Sequence, residues 1–214
     1  MGKKAIMAVT GAVLLVFVVT HMLANLKIFV GATALDGYGR WLHSLAEPAL
    51  GHDGFVWIAR VVLLLCVALH ITAAVQLTRR AHRARPFRYR HRRPVLGGYA
   101  ARTMRWGGVV IALFVVYHVL DMTVGVLNPN GIAGQDYRDI TASFGRWYAA
   151  AFTMIAVLAL GPHIRHGLCG ALRSLGVPIG RGRRVVDAVA IGVAVTVTAG
   201  FLSVPLAVLT GMVR

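Results

Sequence analysis

Five stretches of this 214-residue chain are long and apolar enough to cross a lipid bilayer, and that decides most of what it can fold into. They run over about Ala5–Val30, Phe55–Leu77, Trp106–Leu127, Trp147–Leu168 and Val185–Leu209. A helix needs about 20 mostly apolar residues to cover the hydrocarbon core. The expected fold is therefore an all-α membrane protein, a bundle of five transmembrane helices forming a single membrane domain over residues 1–214. Composition agrees: 57% of residues are apolar, only 14% are charged, and mean hydropathy is +0.70, values of the membrane class. Trp57, Trp106 and Trp147 lie near span ends, where amphipathic rings favour the interface. Periodicity helps little, because a lipid-bathed helix is often apolar all round. Length carries the assignment.

Lys3 and Lys4, the following apolar run and Ala32-Thr33-Ala34 together mimic a signal peptide. The run is too long for an h-region and contains His21 and Lys27, so it is expected to be the first span. The formal charge of +16 is localised. Of 23 Lys and Arg, two lie at the N-terminus, ten between Arg79 and Arg105, and five between Arg165 and Arg184. The segments Gly31–Gly54 and Asn128–Arg146 are poor in them. By the positive-inside rule the N-terminus faces the cytoplasm, the first and third connecting loops lie outside, and the second and fourth inside. The basic run from Arg79 to Arg93 resembles a nucleic-acid patch. It reads better as a topology determinant that attracts anionic lipid heads, with no nucleic acid expected, and the same face could dock a soluble partner. Cys66 and Cys169 are far apart in sequence and suit small packing residues; no C-x-x-C-H occurs, which excludes covalent c-type haem attachment. The chain has no soluble domain of its own, so any electrons it handles come from another protein. Asn128-Pro129-Asn130-Gly131 and Gly134 are turn chemistry, and Gly180-Arg181-Gly182 follows no strand and carries no weight as a nucleotide site.

Spans one to four each carry one histidine deep in the apolar run: His21, His70, His118 and His163, at separations of 49, 48 and 45 residues. An ionisable side chain inside a bilayer is costly and marks a functional site by default. Neutral imidazoles on facing helices are good axial ligands for haem iron, so four such histidines suit two b-type haems. Counting at about 1.5 Å per residue from each span midpoint puts His21 and His118 ~5 and ~2 Å to the outer side, and His70 and His163 ~6 and ~8 Å to the inner side. The residues thus sort into an outer pair, His21 and His118, and an inner pair, His70 and His163, ~10 Å apart. His166 lies one turn nearer the surface than His163 and is the weaker candidate. His43, His52, His82 and His91 read as solvated loop residues, and the fifth span, without a histidine, as a packing helix. Lys27 is close enough to the surface to snorkel. Arg60 and Asp121 fall at similar outer depth, ~7–9 Å from the midplane, and are expected to pair across spans two and three. Asp121 is also a candidate to handle protons or to bind a haem propionate through Arg60.

With these residues the chain resembles the five-helix, di-haem cytochrome b subunit of succinate:quinone oxidoreductases and fumarate reductases, the single-anchor cytochrome b558 type. The resemblance covers nearly the whole chain. It rests on Thr20-His21-Met22-Leu23-Ala24-Asn25-Leu26, Leu69-His70, Tyr117-His118-Val119-Leu120-Asp121 and His163-Ile164-Arg165-His166-Gly167-Leu168. The last is the most specific, since the family places its ligand histidine four residues before a Gly-Leu pair. The resemblance implies a membrane anchor in the bacterial cytoplasmic membrane, partnered by a flavoprotein and an iron–sulfur protein, with a higher oligomer of the complex left open. Electrons from succinate would pass through both haems to a quinone, with menaquinone the expected species. The chain would be an enzyme subunit without a dehydrogenase site, and outer-loop Trp41, His43 and Glu47 would be quinone candidates. Glu47 and Asp121 are the candidate proton entries from the outer side. One departure is Gly161, where certain fumarate reductases carry a glutamate proposed as a proton route. Two other readings compete. A hydrogenase-type or b561-like cytochrome often places several ligands on one helix. A histidine-lined metal or proton transporter would favour histidines at many depths and more acidic residues.

Overall fold

A computed structural model describes residues 2–84, 96–132, 134–174 and 182–214, with side chains at 96–102 and 183 excepted. His91, most of the basic run 79–93, Ala133 and the Gly180–Arg181 pair lie outside the described residues. The described chain is helical. In order it forms α1 (Gly2–Asn25, continued by a 3-10 turn, Leu26–Phe29), α2 (Ala32–His43), the single turn α3 (Glu47–Leu50) and α4 (Gly54–Arg83). There follow α5 (Leu96–His118, widening into a π turn, Val119–Thr123), α6 (Asp136–Phe144), α7 (Trp147–Ser174) and α8 (Arg183–Leu209). The five long helices α1, α4, α5, α7 and α8 are each long and apolar enough to cross a membrane, making this a multi-pass membrane protein with an all-helical bundle. Helix α4 begins a residue earlier and ends six residues later than its apolar run, because Thr78 to Arg83 continue the helix past the lipid boundary.

The packing is uneven. Helices α1, α7 and α8 pack on one another and form the centre, while α4 packs on α1 and α5 on α7. Small residues recur in the centre: Ala149, Ala150 and Ala156 on α7 and Ala190 and Ala194 on α8 are buried, with Ala150 in one cluster with Val204 and Ala207, and Ile164 in another with Ala194 and Val197. Without a hydrophobic drive between helices in lipid, close approach and dispersion hold such contacts, so small residues belong at them. At Gly161 a Cβ would come within 2.6 Å of Thr198 Oγ1, so the absence of a side chain there is what lets α8 lie against α7. The expectation that the fifth span is a packing helix is met. Its Val185, Val189, Ile191, Val195, Leu206 and Leu209, like Leu64, Leu65 and Leu69 of α4 and Val109, Leu113 and Val116 of α5, are exposed and face where lipid would be.

The two ends differ. One, the basic end, holds the starts of α1, α5 and α8 and the ends of α4 and α7; there Arg105 of α5 donates to His82 Nε2 of α4 at 2.7 Å. The other end is capped. The two connections expected as loops contain α2 and α6, which pack on each other over the ends of the long helices. Leu35 of α2 and Phe144 at the end of α6 join Ile28, Ala150, Val204, Ala207 and Val213 in one apolar cluster. The Tyr137 N–H donates to the Asp36 carboxylate at 2.9 Å and the Tyr137 hydroxyl to the Arg214 carbonyl at 3.0 Å. Those bonds tie α2, α6 and the C-terminal turn together. Lys27, expected to snorkel, lies over the Tyr38 ring at 5.4 Å.

A paired-imidazole site across the bundle

The four mid-span histidines meet in two pairs, as depth had sorted them. His21 of α1 faces His118 of α5 with ring centres 5.8 Å apart and planes at 80°. His70 of α4 faces His163 of α7 at 6.4 Å and 58°. His163, not His166, faces His70. Each pair bridges two helices that are not otherwise packed together: among the described residues α1 does not pack on α5, nor α4 on α7. The imidazoles span gaps that the backbones leave.

The local supports are specific. Thr10 of α1 donates its hydroxyl to the Ile6 carbonyl at 2.7 Å, so its oxygen is left to accept from His70 Nδ1 at 3.2 Å. That assigns the proton to Nδ1 and leaves the Nε2 lone pair for a metal, the way a second partner commonly fixes a ligand histidine. The neighbours also make room. A Cβ on Gly11 of α1 would lie 3.2 Å from His70 Cε1, and one on Gly108 of α5 would lie 3.6 Å from His163 Cε1. The other pair sits among aromatic rings: Phe17 stacks on His21 at 5.2 Å, Phe201 tilts against it at 5.9 Å, and Phe114 lies 5.5 Å from His118.

These contacts also measure the distance between pairs. Gly11 marks the level of His70 on α1 and Gly108 the level of His163 on α5. Each lies ten residues from the histidine of its own helix, His21 or His118, and ten residues rise about 15 Å. This corrects the ~10 Å obtained from span midpoints. Midpoints ignore how far one helix slides along another, and the helices are offset from the apolar runs: α4 ends later than its run, and α5 with its π turn starts earlier and stops at Thr123.

Two imidazoles offer two donors, which leaves a bare ion undercoordinated. No group of three or more His, Cys, Asp or Glu able to hold a metal ion occurs among the described residues. A metal that arrives with its equatorial ligands already in place needs only an axial nitrogen on each side, and that is what each pair presents. About 2 Å for each metal–nitrogen bond and about 1 Å from each nitrogen to its ring centre give a separation of roughly 6 Å, close to both pairs. The residues fit b-type haem.

The polar candidates near the cap distribute differently. Arg60 does not pair with Asp121; its guanidinium lies over the Trp57 ring at 5.0 Å. Asp121, 2% exposed, is instead held by Arg146 at 2.6 Å and by the Ser143 hydroxyl at 2.5 Å. Equal depth was not enough, because among the described residues α4 and α5 are not packed on each other at the level of Arg60 and nothing brings it across. Arg146 and Ser143 were missed. The signal for Arg146 was its place immediately before the first residue of the fourth span, in a segment poor in basic residues. Histidine 43 is not a free loop residue: it ends α2 and its Nδ1 lies 2.5 Å from Asp53, while the Asp53 N–H donates to the His43 carbonyl at 2.9 Å. That double link holds Asp53 at φ 65°, in the left-handed region, as the residue before α4. The His43 contact holds the Asp53 carboxyl below the usual range. His52 sits 3.7 Å from Glu47 and 3.6 Å from Asp53. Trp41 is half-exposed against Tyr38. No hydrogen bond, ion pair or ring contact among the described residues joins Trp41, His43, Glu47 or Arg60 to the His21–His118 pair. Cys169 is buried with Sγ 3.5 Å from Asp187, Cys66 is half-buried, and both are free thiols.

Comparisons with protein-family models, with curated proteins and with solved structures find no match to this chain.

Proposed function

We propose that this chain is a di-haem membrane cytochrome b, the anchor subunit of a succinate:quinone oxidoreductase that passes electrons from a cytoplasmic iron–sulfur partner to a quinone. The observation that carries the reading is the pair of imidazole bridges, each closing a gap between helices that do not otherwise pack, at two levels about 15 Å apart. Each bound haem would supply a one-electron relay. The chain's own part is to hold and orient. His21 with His118, and His70 with His163, would give the axial nitrogens. Thr10 fixes the His70 tautomer, Gly11 and Gly108 leave space beside the rings, and the aromatic shell of Phe17, Phe114 and Phe201 keeps the capped-end pair apolar.

In this reading the N-terminus and the basic end face the bacterial cytoplasm, where the arginines would meet the flavoprotein and iron–sulfur subunits, and the capped end faces out. The quinone, menaquinone by preference, would react nearest the capped-end pair. Trp41, His43 and Glu47 are the weaker part of the quinone assignment, since among the described residues none touches that pair. A side chain at Gly161 would meet the Thr198 hydroxyl of α8, and with glycine at the position of the family's glutamate a proton route there is not part of the proposal.

The test is a pyridine haemochrome assay on purified full-length protein. Two b haems per chain are expected, with flavoprotein and iron–sulfur protein copurifying from the native membrane. Haem without those partners would favour the hydrogenase-type or b561-like alternative, and no haem at all would end the reading in favour of a histidine-lined transporter.

A further inference from the structure

Directly after His118 the helix α5 widens into a single π turn, Val119–Thr123, in which the Val124 N–H donates to the Val119 carbonyl at 2.9 Å. Such turns are rare and concentrate at functional positions. Val119-Leu120-Asp121-Met122-Thr123-Val124 contains no proline or glycine, and Gly125, at φ 79°, ends the helix directly after it. The turn is held from outside. Asp121, within it, accepts from the Ser143 hydroxyl at 2.5 Å and from the Arg146 guanidinium at 2.6 Å. Arg146 also donates to the Leu127 carbonyl, beyond the turn. One guanidinium therefore clasps the chain within the widened turn and beyond it, and its own backbone sits at the corner between α6 and α7.

We propose that the Asp121–Arg146 pair, closed by Ser143, is a positioning device for His118, locking the widened turn to the α6–α7 corner and so setting the angle at which the His118 ring faces His21. One residue in an α-helix corresponds to about 100° of rotation. With the end of α5 tied to the cap, relaxation of the wide turn to ordinary α geometry has to be taken up by the segment that carries His118. The 80° between the His21 and His118 planes, against 58° in the pair that has no such clasp, is the geometry being held. The proposal rests on the di-haem reading and deepens it, since the orientation of two axial imidazoles tunes the iron between them.

The experiment uses the full chain with its haems, in wild type and in Asp121→Asn, Arg146→Gln and Arg146→Lys. Each is read by redox titration and by low-temperature electron paramagnetic resonance, with the haem between His70 and His163 as internal reference. Haems are assigned by His21→Ala and His70→Ala. The expected result is a shifted midpoint potential and low-spin signal for the His21–His118 haem alone in Asp121→Asn and Arg146→Gln. Arg146→Lys, which keeps the charge, should shift them less. Unchanged spectra in all variants, equal shifts of both haems, or loss of both haems would overturn the proposal, the last because the pair would then act on the fold as a whole. Wild type without haem would overturn the underlying reading before any substitution is compared.

Discussion

Thr10 shows how little it takes to prepare a histidine: one hydroxyl, already committed to its own helix, turns His70 into a single tautomer. Glycine does the complementary work by leaving space. Gly11→Val should push His70 off its bearing and lower haem content from two to one per chain, with the capped-end haem retained; haemochrome stoichiometry with optical spectra checks it. Of the residues that matter, the histidines were the ones legible in sequence, because depth along a helix is a one-dimensional count and four rare residues at paired depths stand out. Partners were not legible, because they depend on the angle about each helix axis. Arg60 and Asp121 share a depth and never meet, while Arg146, outside the spans, reaches in. The Asp121 carboxylate is buried with one cation. Asp121→Ala should cost about 3–5 kcal/mol, because the guanidinium is left uncompensated. Pairing it with Arg146→Leu should cost less than the sum of the two single changes. Denaturant titration of the four proteins in detergent closes that cycle.

At the scale of elements, the long helices were read from length and the cap was not. Helix α2 is amphipathic, with Leu35, Tyr38 and Leu42 on one side, but a reading based on apolar length passes over a 12-residue helix of this kind. Its partner α6 starts on Asp136, whose carboxyl is pushed up by burial and by the nearby Asp36 and Asp139. A group whose folded value is raised favours the folded form below its unfolded value, about 3.9, and loses that contribution as pH rises through the raised value. The α2–α6 contact is therefore weaker at neutral than at mildly acidic pH. Asp136→Asn should slow amide exchange of α6 at neutral pH and flatten its pH dependence. Asp53 has the opposite sign. Its carboxyl, lowered by the His43 contact, favours the clasped form above the unfolded value, and that contribution goes as pH falls through the lowered one. Between α7 and α8 the constraint is steric. Gly161→Ala meets Thr198 and should cost about 1–3 kcal/mol, with Thr198→Ala restoring most of it in the double variant. Thermal melts of the three variants are the measure.

Across the whole molecule the centre and the flanks are built on different terms. The α1–α7–α8 centre closes largely on small residues, whereas α4 and α5 each pack along one long helix and are tied further by side chains: the histidine pairs, the Arg105–His82 bond and, for α5, the Asp121–Arg146 clasp. This division was not legible beforehand, because all five spans are alike in apolar length and differ in where alanine and glycine line up once packed. On the di-haem reading, hydrogen exchange of haem-free protein should be fast in α4 and α5 and slow in α7 and α8, and adding haem should slow the flanks alone. Uniform exchange in both states would contradict it. The consequence reaches into biogenesis. A cell short of haem would make a chain with a finished middle and two swinging flanks, an open apolar surface of the kind that membrane quality-control proteases remove. The amount of this protein in the membrane would then follow haem supply without any dedicated sensor, the shape of the bundle itself deciding which copies survive.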